Sequence, residues 1–235
     1  MHGWKGNILR VDLNRGHIAV EELSPELARD YIGGRGLGLR MLFDEIAPGT
    51  DALAPENKLF FATGPLTGSG VPAGGRFIVV SKSPLSDGIA SPCCGGYFGA
   101  HLKYSGYDVL VLEGRADEPV YLYIRDDRVE IRPASHLWGR WTAETEKALR
   151  EEVSEELDAW EKSELSIGSI GPAGENRVRF ACIMADAGRA AGRSGLGAVM
   201  GAKNLKAIVA HGSGGVQPAD PEGFRKAVMD FYAEG

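Results

Sequence analysis

Apolar and polar residues alternate at the start of the chain, where Leu9, Val11 and Leu13 interleave with Arg10, Asp12 and Asn14. After Arg15 and Gly16 the alternation resumes at Ile18 and Val20, which predicts a hairpin with one face for the core. Ser24, Pro25 and Glu26 read as the N-cap, first position and acidic first turn of a helix reaching about residue 32. A second helix is expected over about residues 39–46, and short apolar runs predict strands over 59–62, 77–80 and 109–112. Residues 121–124 and 129–131 flank Asp126 and Asp127 as a second hairpin. One long helix is expected from Thr142 to about Lys162, with Leu149, Val153, Leu157 and Trp160 as its apolar stripe. Its other side, Glu151, Glu152, Glu155, Glu156, Asp158 and Glu161, reads as a solvated face. Strands over 165–170, 178–184 and 205–210, with a loop at 171–174, complete the pattern.

The stretch from Gly188 to Gly201 carries the most chemistry: a glycine-rich loop with Arg189 and Arg193, then a helix from about Ser194. Glycine lets backbone approach a ligand, the free N–H groups of a helix start favour an anion, and guanidinium forks suit phosphate. The same construction occurs earlier. Gly99-Ala100 and Gly114 are spaced as Gly197-Ala198 and Gly212 are, 98 residues later, and each set encloses a short helix and an apolar strand. Upstream, Arg76-Phe-Ile-Val-Val80 and Arg179-Phe-Ala-Cys-Ile183 read as matching strand starts. An internal duplication follows from this, with two phosphate sites related by pseudo-symmetry. The expected organisation is one domain over 1–212, with halves of about 1–115 and 116–212, then a linker and the start of a further helical domain over 213–235. Phe224, Val228 and Phe231 give that last helix an apolar face with nothing left in the chain to cover it.

Composition narrows the function classes. Hydrophobic residues make up 43% of 235, enough for a proper core. Acidic residues outnumber basic ones, 32 to 26, which argues against a nucleic-acid surface. No apolar run has the length of a membrane span and no signal pattern opens the chain, so a cytoplasmic protein is expected. Three cysteines, two of them adjacent at Cys93 and Cys94, give neither a disulfide framework nor a zinc or iron–sulfur spacing. Gly33-Gly-Arg-Gly-Leu-Gly38 partly spells a nucleotide-binding loop, but a dinucleotide fingerprint needs a strand before the glycines. A capped helix stands there instead. The run is therefore taken as a turn between helices, with Arg35 free to face an anion.

Several ordered motifs carry a resemblance: Gly3-Trp-Lys-Gly6, Gly64-Pro-Leu-Thr-Gly68, Gly74-Gly-Arg76, Ser81-Lys-Ser-Pro84, Gly95-Gly-Tyr-Phe-Gly99, Ser169-Ile-Gly-Pro-Ala-Gly-Glu-Asn176 and Arg189-Ala-Ala-Gly-Arg193. Through them the chain resembles the N-terminal domain of the tungsten-dependent aldehyde ferredoxin oxidoreductase family, over residues 3 to about 212. The resemblance implies an α+β fold of two pseudo-symmetric, β-rich halves with short helices. It implies a base for two pterin dithiolenes holding one tungsten (sometimes molybdenum) atom, their phosphates bridged by magnesium. Carried to matching positions, Arg76, Cys93, Gly95, Arg189, Ala190, Gly192 and Arg193 would bind this cofactor, with the backbone carbonyls of Cys93 and Ala190 facing the magnesium. The family commonly has asparagine where this chain has Cys93. The implied reaction is aldehyde oxidation to the acid, electrons leaving through a [4Fe–4S] cluster bound by later domains to ferredoxin. No catalytic residue is assigned here, and a homo-oligomer is compatible with this reading. Two alternatives stand beside it: a stand-alone pterin-binding subunit without turnover, and a nucleotide or flavin enzyme using residues 33–38.

Overall fold

The structure, a computed structural model, describes residues 1–186 and 188–234. Its first part runs β1 (Asn7–Asp12), β2 (His17–Glu22), α1 (Pro25–Tyr31), α2 (Gly34–Glu45), β3 (Leu59–Ala62), β4 (Phe77–Lys82), β5 (Ile89–Ala90), β6 (Cys93–Cys94), α3 (Phe98–Tyr104) and β7 (Val109–Glu113). There follow β8 (Val120–Arg125), β9 (Arg128–Pro133), α4 (Thr142–Val153), α5 (Ala159–Glu164), β10 (Ser166–Ser169), α6 (Pro172–Glu175), β11 (Ile183–Ala185), β12 (Arg189–Ala191), α7 (Leu196–Ala202), β13 (Leu205–His211) and α8 (Pro221–Glu234). The fold is α+β, and among the described residues no helix is long and apolar enough to cross a membrane.

Two sheets repeat one topology. The first has the order β2-β1-β7-β3-β4-β5, with β6 also on β4; the second reads β9-β8-β13-β10-β11-β12 from its matching end. Pairing senses repeat as well. β1 lies parallel to β7 as β8 does to β13, and β3 and β10 run antiparallel to those central strands. Helices α3 and α7, both seven residues long, begin 98 residues apart, the spacing of the glycine signals.

Alternation along the strands builds three layers of core. In β1, Leu9 and Val11 face the central core and Ile8 the outer one; in β7, Leu110 and Leu112 face inward and Val109 and Val111 outward. The second sheet divides likewise, Leu122 and Ile124 inward, Tyr121 and Tyr123 outward. The central core therefore lies between the sheets and takes in Phe98 and Leu102 of α3 and Leu196, Val199 and Met200 of α7. Helices α1 and α2 cover the outer face of one sheet and α4 that of the other.

Several sequence expectations need correction. Helix α2 starts at Gly34 rather than Leu39, so the glycine run is helical. A Cβ at Gly38 would lie 2.7 Å from Val80 Cγ2; close packing on the sheet outweighs the low helix propensity of glycine. As expected, a helix (α1) and not a strand precedes the run, which is not the dinucleotide context. The expected 142–162 helix breaks after Val153, and Asp158 caps a new one by accepting from Trp160 and Glu161 N–H. Trp160 leaves the apolar stripe and stands 55% exposed. The acidic face is not merely solvated: Glu156 pairs with Arg128 and Arg132, Glu161 with Arg125, and Glu152 accepts from Tyr121 Oη. The 171–174 loop holds the helical turn α6. The 178–184 strand shrinks to Ile183–Ala185, because Val178 closes a turn on Ala173 and the Ala181 carbonyl accepts from Gly197 N–H. The match of Arg179 with Arg76 is thus out of register; β11, not residues 179–183, is the counterpart of β4. Residues 213–217 are pinned to the domain, Ser213 to Asp126 and Gly3 N–H to the Gln217 carbonyl. Phe231 in α8 stays 61% exposed.

Candidate functional site

The repeated topology brings two short arms together, β6 from one half and β12 from the other, which pack against each other. β12 exists because Gly188, at φ +154, lets the chain return from β11 in a tight turn; Ala185 pairs with Arg189 and Ile183 with Ala191. The sequence suggested only a loop there. β6 pairs with β4 through Phe77–Cys94 and Ile78–Cys93, so the two adjacent cysteines face opposite ways. Cys94 is buried and Cys93 half-buried. Burial, first, and the Asp186 carboxylate push the Cys94 thiol up to about 11.

Beside the arms lies a cleft of about 660 Å³ whose lining includes Arg35, Cys93, Ala190, Gly192 and Arg193. Four residues singled out from sequence thus share one cavity, joined by Arg35. Arg76 reaches its edge, Nη1 donating to Cys93 Sγ at 3.4 Å. Arg189 lies in β12, exposed. Gly95 has open space where a Cβ would stand, and around Gly192 the nearest atoms are at 3.9 Å or more, so backbone is bare to a ligand at both places. Arg193 is held at φ +70, an uncommon conformation for a residue with a side chain.

Arginines without a carboxylate partner gather at this seam, although Arg115, Arg140, Arg177 and Arg179 also form no ion pair among the described residues. Arg10, Arg125, Arg128, Arg132 and Arg150 all have carboxylate partners. Among the described residues, Arg35, Arg76, Arg189 and Arg193 form no ion pair, although the chain carries a net charge of −6. Four unpaired guanidiniums around bare backbone make a site for a phosphate-bearing anion.

Helix starts do not supply that anion site, contrary to the sequence expectation. Tyr97 N–H and Phe98 N–H at the start of α3 donate to Asp186 Oδ2, at 2.6 and 3.0 Å. At α7, Gly197 N–H donates to the Ala181 carbonyl. Both starts are occupied by the protein itself. Ser83 joins the loops across the seam, its Oγ donating to the Ser194 carbonyl at 2.7 Å. Asp186 was missed in the sequence, as was the bond from Ser83 across the seam, whereas Arg35, expected to be free to face an anion, lies in the cleft lining. Only the turn pairing of Asp186 with Gly188 hinted at the first.

Among the described residues no group of three or more His, Cys, Asp or Glu side chains could hold a metal ion. A cation at the seam would therefore rest on backbone carbonyls and on its own phosphates. Bare glycines, unpaired arginines and the open cleft fit a large phosphate-bearing cofactor.

A family profile, aldehyde ferredoxin oxidoreductase N-terminal domain, matches residues 8–212. The chain belongs to the aldehyde ferredoxin oxidoreductase family. It is 52% identical over 230 residues to a tungsten-containing aldehyde ferredoxin oxidoreductase of Pyrococcus abyssi, covering 98% of this chain and 37% of that protein. The aliphatic sulfonate oxidoreductase WOR-like subunit of Pyrococcus furiosus is 42% identical over 243 residues, covering 100% of this chain and 39% of that protein. A solved structure of the active site complex BamBC of benzoyl coenzyme A reductase, bound to 1,5-dienoyl-CoA, superposes with a TM-score of 0.92 at 37% identity. That match covers 99% of this chain and 35% of the other. The chain thus spans little more than a third of the length of these relatives, as an oxidoreductase N-terminal domain.

Proposed function

We propose that this domain is the base that holds a bis-pterin tungsten (or molybdenum) cofactor within a larger oxidoreductase. That enzyme oxidises small aldehydes to carboxylic acids and passes the electrons through a [4Fe–4S] cluster, bound outside this domain, to ferredoxin. The cytoplasm is the proposed location. The observation that carries the reading is the set of four unpaired arginines at the seam of the two halves, around backbone left bare at Gly95 and Gly192.

Arg76, Arg189 and Arg193 hold the phosphates in this reading, with Arg35 as a fourth cation. Gly95, Ala190 and Gly192 leave room for close approach. The carbonyls of Cys93 and Ala190 would hold a magnesium ion, which would supply charge for the phosphates. A thiol at position 93 does not remove that backbone carbonyl, so cysteine is tolerated there. When bound, the tungsten centre supplies the two-electron chemistry of aldehyde oxidation. This chain's residues neutralise, orient and cover the cofactor rather than react.

The test is the tungsten, molybdenum and pterin content of the native gene product purified without oxygen, with and without Arg189→Ala and Arg193→Ala. Loss of metal and pterin together, with unchanged circular dichroism, is the expected result. A doubly substituted protein with its full metal load refutes the phosphate assignment.

A further inference from the structure

Asp186 occupies a place that neither the motifs nor the proposed cofactor contacts explain. It follows β11 in the second half, at φ +46, yet its Oδ2 accepts from Tyr97 and Phe98 N–H of the first half. Its Oδ1 accepts from Ser166 Oγ, on β10 of its own half. The N-cap residue of α3, Tyr97, has no side-chain cap of its own. A carboxylate that lies 88 residues away in sequence takes that role.

The surroundings are built around this bond. Gly96 sits at φ +94, and a Cβ there would collide with Asp186 Oδ2 and crowd Arg189 Cγ at 3.3 Å. Only glycine lets the carboxylate reach the helix start. On one side of the contact, Gly95 and Gly96 continue from the Cys93–Cys94 arm; on the other, Arg189 and Ala190 lie three and four residues beyond Asp186. One side chain thus fixes the spacing between the two arms. The carboxylate is also kept off the anion site. Two backbone N–H groups and a hydroxyl hold it at the start of α3, and the arginines remain unpaired.

We infer that Asp186 is a positioning residue: it locks the Gly95–Gly96 arm of the first half against the Arg189–Ala190 arm of the second, and so sets the cofactor site. The inference rests on the reading of the seam as the cofactor's phosphate site. Its test therefore includes a measurement made without cofactor.

The experiment compares wild type, Asp186→Ala, Asp186→Asn, Gly96→Ala and Arg193→Ala forms of the native gene product. Each is prepared with tungstate for metal and pterin content, and without tungstate or molybdate for alkylation. In the second set, N-ethylmaleimide labelling of Cys93 and Cys94 is read by peptide mass spectrometry, with circular dichroism and Tm alongside. In wild type, Cys93 is labelled and the buried Cys94 is spared. Asp186→Ala is expected to raise the Cys94 labelling rate about tenfold, the equilibrium worth of a lost N-cap contact. The same protein loses most of its metal and pterin while circular dichroism is unchanged. Asp186→Asn keeps an acceptor for the α3 start and a donor for Ser166 Oγ, and is expected to restore protection and most of the load. Asp186→Leu, prepared alongside with similar volume and no acceptor, is expected to behave as Asp186→Ala, whereas a mere packing role predicts rescue by both.

Gly96→Ala displaces the carboxylate without removing it and is expected to copy Asp186→Ala. It decides the question if that variant does not fold. Wild-type protection of Cys94 with full cofactor load in Asp186→Ala, or in Gly96→Ala, overturns the inference. A full load in Arg193→Ala, with Cys94 exposed in Asp186→Ala, instead strikes the phosphate reading and leaves the locking role standing.

Discussion

His101 of α3 and His211 at the end of β13 stack with ring centroids 5.8 Å apart, 26° from parallel, where the two halves join. His101 is 3% exposed and His211 fully buried. Gly212 N–H points at His101 Nδ1, while Glu164 lies 3.9 Å from His101 Nε2 and Glu161 3.9 Å from His211 Nδ1. Burial, and then the neighbouring His211, pull the His101 pKa from 6.5 down to about 4, with Asp186 opposing. Between those values the unfolded chain binds the proton and the folded one does not. Stability is therefore full above pH 6.5, falls as pH drops, and has lost the whole contribution below about 4. A gap of about two and a half pH units at 1.4 kcal/mol each is worth about 3 kcal/mol, a large part of the stability of an ordinary domain.

His101→Phe keeps a ring in the stack and removes the titration. Urea unfolding of both proteins from pH 7.5 to 4 measures the difference; carboxylates common to both cancel. Wild type is expected to lose about 3 kcal/mol more than the variant over this range. Two stability profiles that run parallel within about 0.5 kcal/mol refute the reasoning.

Two more outcomes follow from the packing. Gly38→Ala sets a methyl 2.7 Å from Val80 Cγ2 and is expected to cost about 1–3 kcal/mol in urea unfolding; Val80→Ala in the same chain recovers part of it. Asp108 accepts from Lys5 and Gly6 N–H at 2.8 and 2.7 Å and stands 3.5 Å from the fully buried Lys103 ammonium. Asp108→Ala leaves that charge uncompensated and is expected to cost about 3–5 kcal/mol, with Lys103→Met partly restoring Tm.

What the sequence revealed and what it hid divide along physical lines. Period-two alternation placed Leu9, Val11 and Leu13 correctly, because one residue of slip turns a whole strand face to solvent. The 98-residue spacing of α3 and α7 was readable because both helices pass close to other backbone. Gly197 and Gly201 abut the Cys182 and Gly174 carbonyls, and Gly99 abuts Phe77 Cβ and the Gly75 carbonyl. The helical state of residues 34–38 was not readable, since local propensity opposes it and Val80, 42 residues away, decides it. The same holds for the paired acidic face, whose arginine partners come from β8 and β9. Sequence motifs selected Cys93, Ala190, Gly192 and Arg193, which do share a cleft. Asp186 escaped because its partners lie in the other half.

The symmetry of the fold and the asymmetry of its arms together shape the seam. Repeated topology sets β6 and β12 face to face, but the sequences placed there differ. The first arm offers two cysteines and two glycines, with Arg76 alone reaching its edge; the second carries Arg189 and Arg193. Two equivalent phosphates would then meet unequal charge. Arg35, brought into the cleft by the early start of α2, adds a cation from the poorer half and evens the count at two arginines each. The glycine run that looked like a failed nucleotide loop thus has two consequences at once. Its small residues seat α2 on the sheet, and that seating delivers Arg35 to the seam.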